Sequence, residues 1–117
     1  MRRFERPSDF ETALIEAAAA VLPSARVISI RRTMIAAKVR IDLGPTRFVD
    51  CFFNARNQRM DLSVIDGGVR VLGYDNLGGW HRHPWGRADE HEPCAAPTLD
   101  QVLREVAALS SSAPPPG

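Results

Sequence analysis

Phe10, Leu14, Ala17, Ala18 and Val21 recur at helical spacing behind Ser8-Asp9-Phe10-Glu11, which reads as a capping box. A helix is therefore predicted over Ser8–Leu22, stopped by Pro23. From Arg26 the period falls to two. "RVISIRR" puts Ile28 and Ile30 on one side. "MIAAKVRID" puts Ile35, Ala37, Val39 and Ile41 on one face and Lys38, Arg40 and Asp42 on the other. "RFVDCFFN" is apolar on both faces, as suits a central strand. "MDLSVI" and "VRVLGY" flank Asp66-Gly67-Gly68, a hairpin signal because these residues tolerate positive φ. After Tyr74 the alternation stops, and an irregular segment is expected from Asp75 to about Pro97. Thr98-Leu99-Asp100-Gln101 then opens a second capping box, with Leu99, Val102, Leu103, Val106 and Leu109 as a helical stripe. The expected fold is a single α+β domain over 1–109, a mainly antiparallel sheet of about five strands with an N-terminal and a C-terminal helix. A disordered tail is expected over 110–117.

Composition narrows the class. No apolar run approaches the roughly 18 residues that span a bilayer, so no membrane partner is expected. "MRRFERPSDF" has no apolar core of the kind a signal peptide needs. The two cysteines, Cys51 and Cys94, match no CxxC pattern, which points to a reduced, cytoplasmic setting, and Cys51 reads as a small buried hydrophobe. Net charge is +1, but unevenly spread: eleven basic residues against six acids through Arg59 give +5, and four against eight thereafter give −4. A basic first half is compatible with RNA or an acidic partner, with Lys38, Arg40 and Arg47 as candidate phosphate ligands.

The chemically versatile residues gather in "GYDNLGGWHRHPWGRADEHEP", which holds all three histidines, both tryptophans and the one tyrosine. Long irregular segments in small domains tend to be functional. General acid–base chemistry is the first reading. His81 and His83 could act as base and acid and Arg82 could stabilise phosphate charge, with Tyr74 as a spare proton donor. Trp80 could stack an unpaired base. Together these could make a metal-independent endoribonuclease with no cofactor. A metal centre is the alternative: zinc or another divalent ion on His81, His83 and His91, completed by Asp75, Glu90 or Cys94. The plain alternative is a non-catalytic module that binds nucleic acid or protein, in which the loop is only structural.

"FFN", "MDLSVIDGGVRVLGYDN", "GGWHRHP" and "TLDQVL" together resemble the TumE-type toxin family, small bacterial proteins commonly paired with a helix-turn-helix antitoxin. The resemblance covers about Phe52 to Leu109. In that family a strand ends in an aromatic-Asp-Asn element, and a histidine cluster follows before a C-terminal helix. The matching positions are Tyr74, Asp75, Asn76, His81 and His83. Two tryptophans in the loop and a longer N-terminal helix and strand pair depart from it. The resemblance implies a toxin of a toxin–antitoxin or defence system with a helix-turn-helix antitoxin as its partner. Action on RNA is the reading that the residues themselves favour.

Overall fold

The computed structural model describes residues 1–109. Helix α1 (Pro7–Val21) leads into strands β1 (Arg26–Arg32), β2 (Ala36–Asp42), β3 (Arg47–Asn54), β4 (Arg59–Asp66) and β5 (Val69–Asp75). Two short strands, β6 (His81–His83) and β7 (Glu92–Pro93), and helix α2 (Leu99–Leu109) complete the order. All seven strands form one sheet in chain order, each antiparallel to the next. The expectation of five strands is thus corrected to seven. The segment after Asp75, expected to be irregular, continues the meander through β6 and β7. The tail expected to be disordered, 110–117, lies outside the described residues.

The alternation in the sequence decides what faces the helices. Val39 and Ile41, Val49, Cys51 and Phe53, Met60, Leu62 and Val64, and Leu72 are all buried beneath α1 and α2. Phe4, Phe10 and Phe53 pack ring to ring at 5.1–5.7 Å between centroids. Helix α1 lies over β1, β2 and β3, and α2 packs beside it. Among the described residues, the other face of the sheet has no helix upon it.

Local chemistry sets the boundaries. Gly67 and Gly68 have φ of 59° and 83°, the paired left-handed conformation of a two-residue hairpin that matches strand twist. The second capping box forms as expected: the Gln101 N–H donates to Thr98 Oγ1 at 3.1 Å, and the Thr98 N–H donates to Gln101 Oε1 at 2.9 Å. The first is shifted. Pro7 takes the first turn, where its missing N–H is harmless, and Asp9 Oδ2 accepts from the Arg6 N–H at 3.2 Å. Arg6, not Ser8, is the residue at the helix mouth.

Candidate nucleic-acid interface on the open sheet face

Cross-strand register lays the open face out in rows. Arg31, Lys38, Phe52, Asp61, Asp75 and His81 are successive neighbours from β1 to β6. Ile28, Arg40, Asp50, Ser63, Gly73 and His83 form the row beside it. A groove of about 590 Å³ runs between them, lined by Lys38, Asp50, Phe52, Arg59, Asp61, Ser63, Ile65 and Arg70. Gly73 makes room for it: a Cβ there would lie 3.3 Å from both Arg70 Cδ and Ser63 Oγ.

The cations on this face are Arg26, Arg31, Lys38, Arg40, Arg59 and Arg70; the acids are Asp42, Asp50, Asp61 and the committed Asp75. Several of these side chains hold polar atoms that are buried yet unpaired. Among the described residues, Arg40 Nε, Asp50 Oδ1 and Arg59 Nε have no hydrogen-bond partner, and only Glu11 Oε1 shares that state elsewhere. Nearly all buried polar groups in folded proteins are paired, so a cluster of three on one face calls for a ligand or solvent to satisfy it. Arg40 lies with its guanidinium 3.8 Å from the Phe48 ring centroid, and Lys38 Nζ is 3.7 Å from Asp50 Oδ2.

The histidines converge at the far end of the rows. His83 is 1 % exposed, with Nε2 at 2.7 Å from Asp75 Oδ2 and Nδ1 at 3.1 Å from the Ala88 carbonyl oxygen. Both ring nitrogens are thus engaged by protein oxygens, which leaves neither available to a substrate. Burial would push the Asp75 carboxyl up, but the His83 hydrogen bond and the Leu77 N–H outweigh it and hold that carboxyl below its usual value. His91 packs edge-on to His83 at 4.5 Å and stands 6.2 Å from His81 between ring centroids. His91 is exposed and His81 half-buried, so these two are the accessible imidazoles.

Arg82 points the other way. It alternates with His81 and His83 and joins Tyr74 on the helix face, where Nη2 donates to Glu105 Oε2 at 2.6 Å and Nε to Tyr74 Oη at 3.2 Å. Tyr74 in turn donates to Glu105 Oε1 at 2.8 Å. The Glu105 hydrogen bond raises the already high Arg82 pKa further. Burial, followed by the Glu105 hydrogen bond, pushes the Tyr74 hydroxyl up. The structure therefore separates Arg82 and Tyr74 from the histidines by the thickness of the sheet.

The other sequence candidates divide similarly. Lys38 and Arg40 lie on the open face. Arg47 is 8 % exposed on the helix face, with Nε 2.6 Å from Asp66 Oδ2 and Nη1 donating to the Leu109 carbonyl at 2.8 Å. Trp80 is half-buried against the core. Asn76 stitches the β4 start: its Oδ1 accepts from the Met60 N–H and its Nδ2 donates to the Gln58 carbonyl, both at 2.8 Å. No group of three or more His, Cys, Asp or Glu among the described residues is arranged to hold a metal ion. No helix among them is long and apolar enough to cross a membrane.

Asp50, Phe52, Arg59 and Arg70 carry no signal in the sequence that marks them as a site. The alternation of "RFVDCFFN" puts Phe48, Asp50 and Phe52 on one face, but only the register shows that Arg59 and Arg70 join them. No protein-family model, curated protein or solved structure matches this chain.

Proposed function

We propose that the open sheet face binds a single strand of RNA, and that the protein works as the RNA-directed toxin of a bacterial toxin–antitoxin system. The unpartnered, buried Arg40, Asp50 and Arg59 atoms beside Phe52 carry the RNA reading. RNA supplies what they lack: phosphate oxygens for the two arginines, a base N–H for the carboxylate, and a π face for the ring. Single strands suit an open groove because their bases are splayed and accessible. The toxin role and its helix-turn-helix antitoxin rest on the resemblance of the Tyr74-Asp75-Asn76 and His81/His83 segment.

Cleavage is a second reading, favoured by one observation. His81 and His91 stand together at the end of the row that carries Lys38 and Phe52. An acid–base pair would be these two, with His83 and Asp75 as the wall behind them and a cation such as Arg59 in place of Arg82. Such a pair needs no cofactor; a bound divalent ion is the competing account.

Binding is tested by titrating a labelled single-stranded RNA at several salt concentrations. Removing one phosphate-binding cation should flatten the salt slope by about 0.7, so Lys38→Ala and Arg59→Ala should each weaken binding while Arg47→Lys leaves the slope unchanged. Salt-insensitive or absent binding by the folded protein would refute the RNA reading. For cleavage, one assay from pH 5 to 9 with and without EDTA separates the accounts. Acid–base chemistry gives an EDTA-resistant bell and a loss of about 10²–10⁴ in His91→Ala or His81→Ala. Metal chemistry dies with EDTA. Binding without cleavage leaves a toxin that sequesters RNA, and harmless high-level expression in a bacterial host would remove the toxin role.

A further inference from the structure

Among the described residues, strand β1 is the outer edge of the sheet, with one row of backbone N–H and C=O groups unpaired by any strand. Open edges invite further strands, and proteins usually blunt them. The opposite edge, β7, is blunted by being only two residues long. β1 is seven residues long and carries a bulge between Ser29 and Arg31, so a full-length partner strand meets an interruption after Ser29. A merely protected edge would be ringed by polar residues. This one is ringed by exposed aliphatic side chains: Ile30 at 48 %, Ile35 at 38 % and Met34 at 95 % exposure. Ile15, 49 % exposed, lies one helical turn beyond Glu11, whose carboxylate is bound to Arg32 of the same strand. Exposed apolar surface collected around an unpaired edge is what a protein partner covers.

Charge tells which partner. β1 carries Arg26, Arg31 and Arg32 and no acid. Glu11 is committed to Arg32 at 2.6 Å, Asp42 lies across from Arg26, and Arg31 has no acidic partner among the described residues. A second copy of β1 would bring three arginines and no acid against the same three arginines, and like charges facing one another destabilise a pair. We propose that the β1 edge docks an extended, acidic segment of a partner protein, which extends the sheet along Arg26–Ser29 while its apolar residues cover Ile30, Met34 and Ile35. The inference stands apart from the RNA reading, since it uses the edge and hairpin tip and not the groove.

The probe is a fluorescein-labelled, capped seven-residue peptide alternating glutamate and valine, titrated into the full chain, with a lysine–valine peptide as control. Saturable binding of the acidic peptide alone is expected, with slowed amide exchange confined to Arg26–Ser29. Arg31→Glu should weaken it by about tenfold, the scale of one charge pair at an interface, and should improve the lysine peptide. Met34→Ser, at an exposed turn where folding is not at stake, should weaken it without changing charge preference. Arg87→Ala, which removes the same charge from the loop after β6 at the far end of the sheet, should leave it unchanged. Absence of saturable binding up to about 1 mM, the weak limit of specific recognition, would overturn the proposal. So would protection mapping to the groove, indifference to Arg31→Glu in a folded variant, or a concentration-dependent dimer through β1.

Discussion

Replacing His83 by alanine removes a buried side chain that joins the last long strand to the loop folded over it, leaving Arg70 as the other side chain on the Ala88 carbonyl. The ring is 1 % exposed and ties Asp75 on β5 to the Ala88 carbonyl on the loop. Without it Asp75 Oδ2 keeps no partner, although Oδ1 still accepts from the Leu77 N–H at 3.1 Å. Removing the partner of a buried polar group costs about 1–3 kcal/mol, and more for a charged one. Because Asp75 is a carboxylate that retains one hydrogen bond and its side chain is 12 % exposed, about 3 kcal/mol applies. At about 4 °C per kcal/mol for a domain near this size, the melting temperature should fall by roughly 12 °C. Urea titration supplies the free energy, and a cycle with Asp75→Asn tests its origin. The double variant should be little worse than His83→Ala alone, since the two residues share one interaction. The pH dependence follows in sign. The Asp75 carboxyl is depressed in the folded protein, so its contribution is complete above the ordinary aspartate value of about 3.9 and is lost as pH falls through the lower native value. His83→Ala should remove much of that acid-side loss. A cost below about 1 kcal/mol, the worth of an ordinary surface ion pair, or additive single variants, would refute the description of His83 as a clamp.

Three further outcomes follow from the same geometry. Tyr74 is the chain's only tyrosine, so its ultraviolet titration is a clean signal; Glu105→Gln should move its midpoint down, because the carboxylate that raises it is gone. A thiol reagent should modify Cys94 in the folded protein and leave Cys51, which is fully buried and whose thiol burial pushes far up, untouched until denaturant is added. Gly68→Val should lower stability by about 1–2 kcal/mol in urea titration, because φ of 83° is costly for a β-branched residue, while Gly44→Ala, with open space around it and no positive φ, should be nearly neutral.

Elements with strong local signals are legible in the sequence. The Asp66-Gly67-Gly68 hairpin and the Thr98/Gln101 capping box each rest on residues adjacent in sequence. The first helix is legible too, but Ser8 draws its boundary inward because a serine followed by a glutamate mimics a cap; Pro7 in the first turn is what fixes it. β6 is three residues long, too short to display a period, so "HRH" reads as loop. That reading hides a consequence of strand alternation: His81 and His83 share a face and Arg82 cannot join them. The grouping of all three histidines is plain in the sequence, but the burial of His83 is not, because it depends on the loop returning to place Ala88 above the ring. Nor can the sequence near Arg82 announce Glu105, which arrives from a helix beyond the loop.

The strictly sequential strand order also governs how the chain can assemble. Each strand finds its partner in the stretch just made, so the sheet can lengthen hairpin by hairpin, with the tight turn at Gly67-Gly68 as a ready starting point. Helix α1 is already present to cover β1, β2 and β3 as they form. Over β5 and β6, however, Tyr74 and Arg82 wait for Glu105, and α2 follows all seven strands in the chain. A ribosome-bound intermediate truncated before Thr98 would hold the first half of its sheet covered and the second half bare. The aggregation-exposed stage of this sheet's assembly therefore lasts until α2 is made, and it is α2 docking against α1 that closes it.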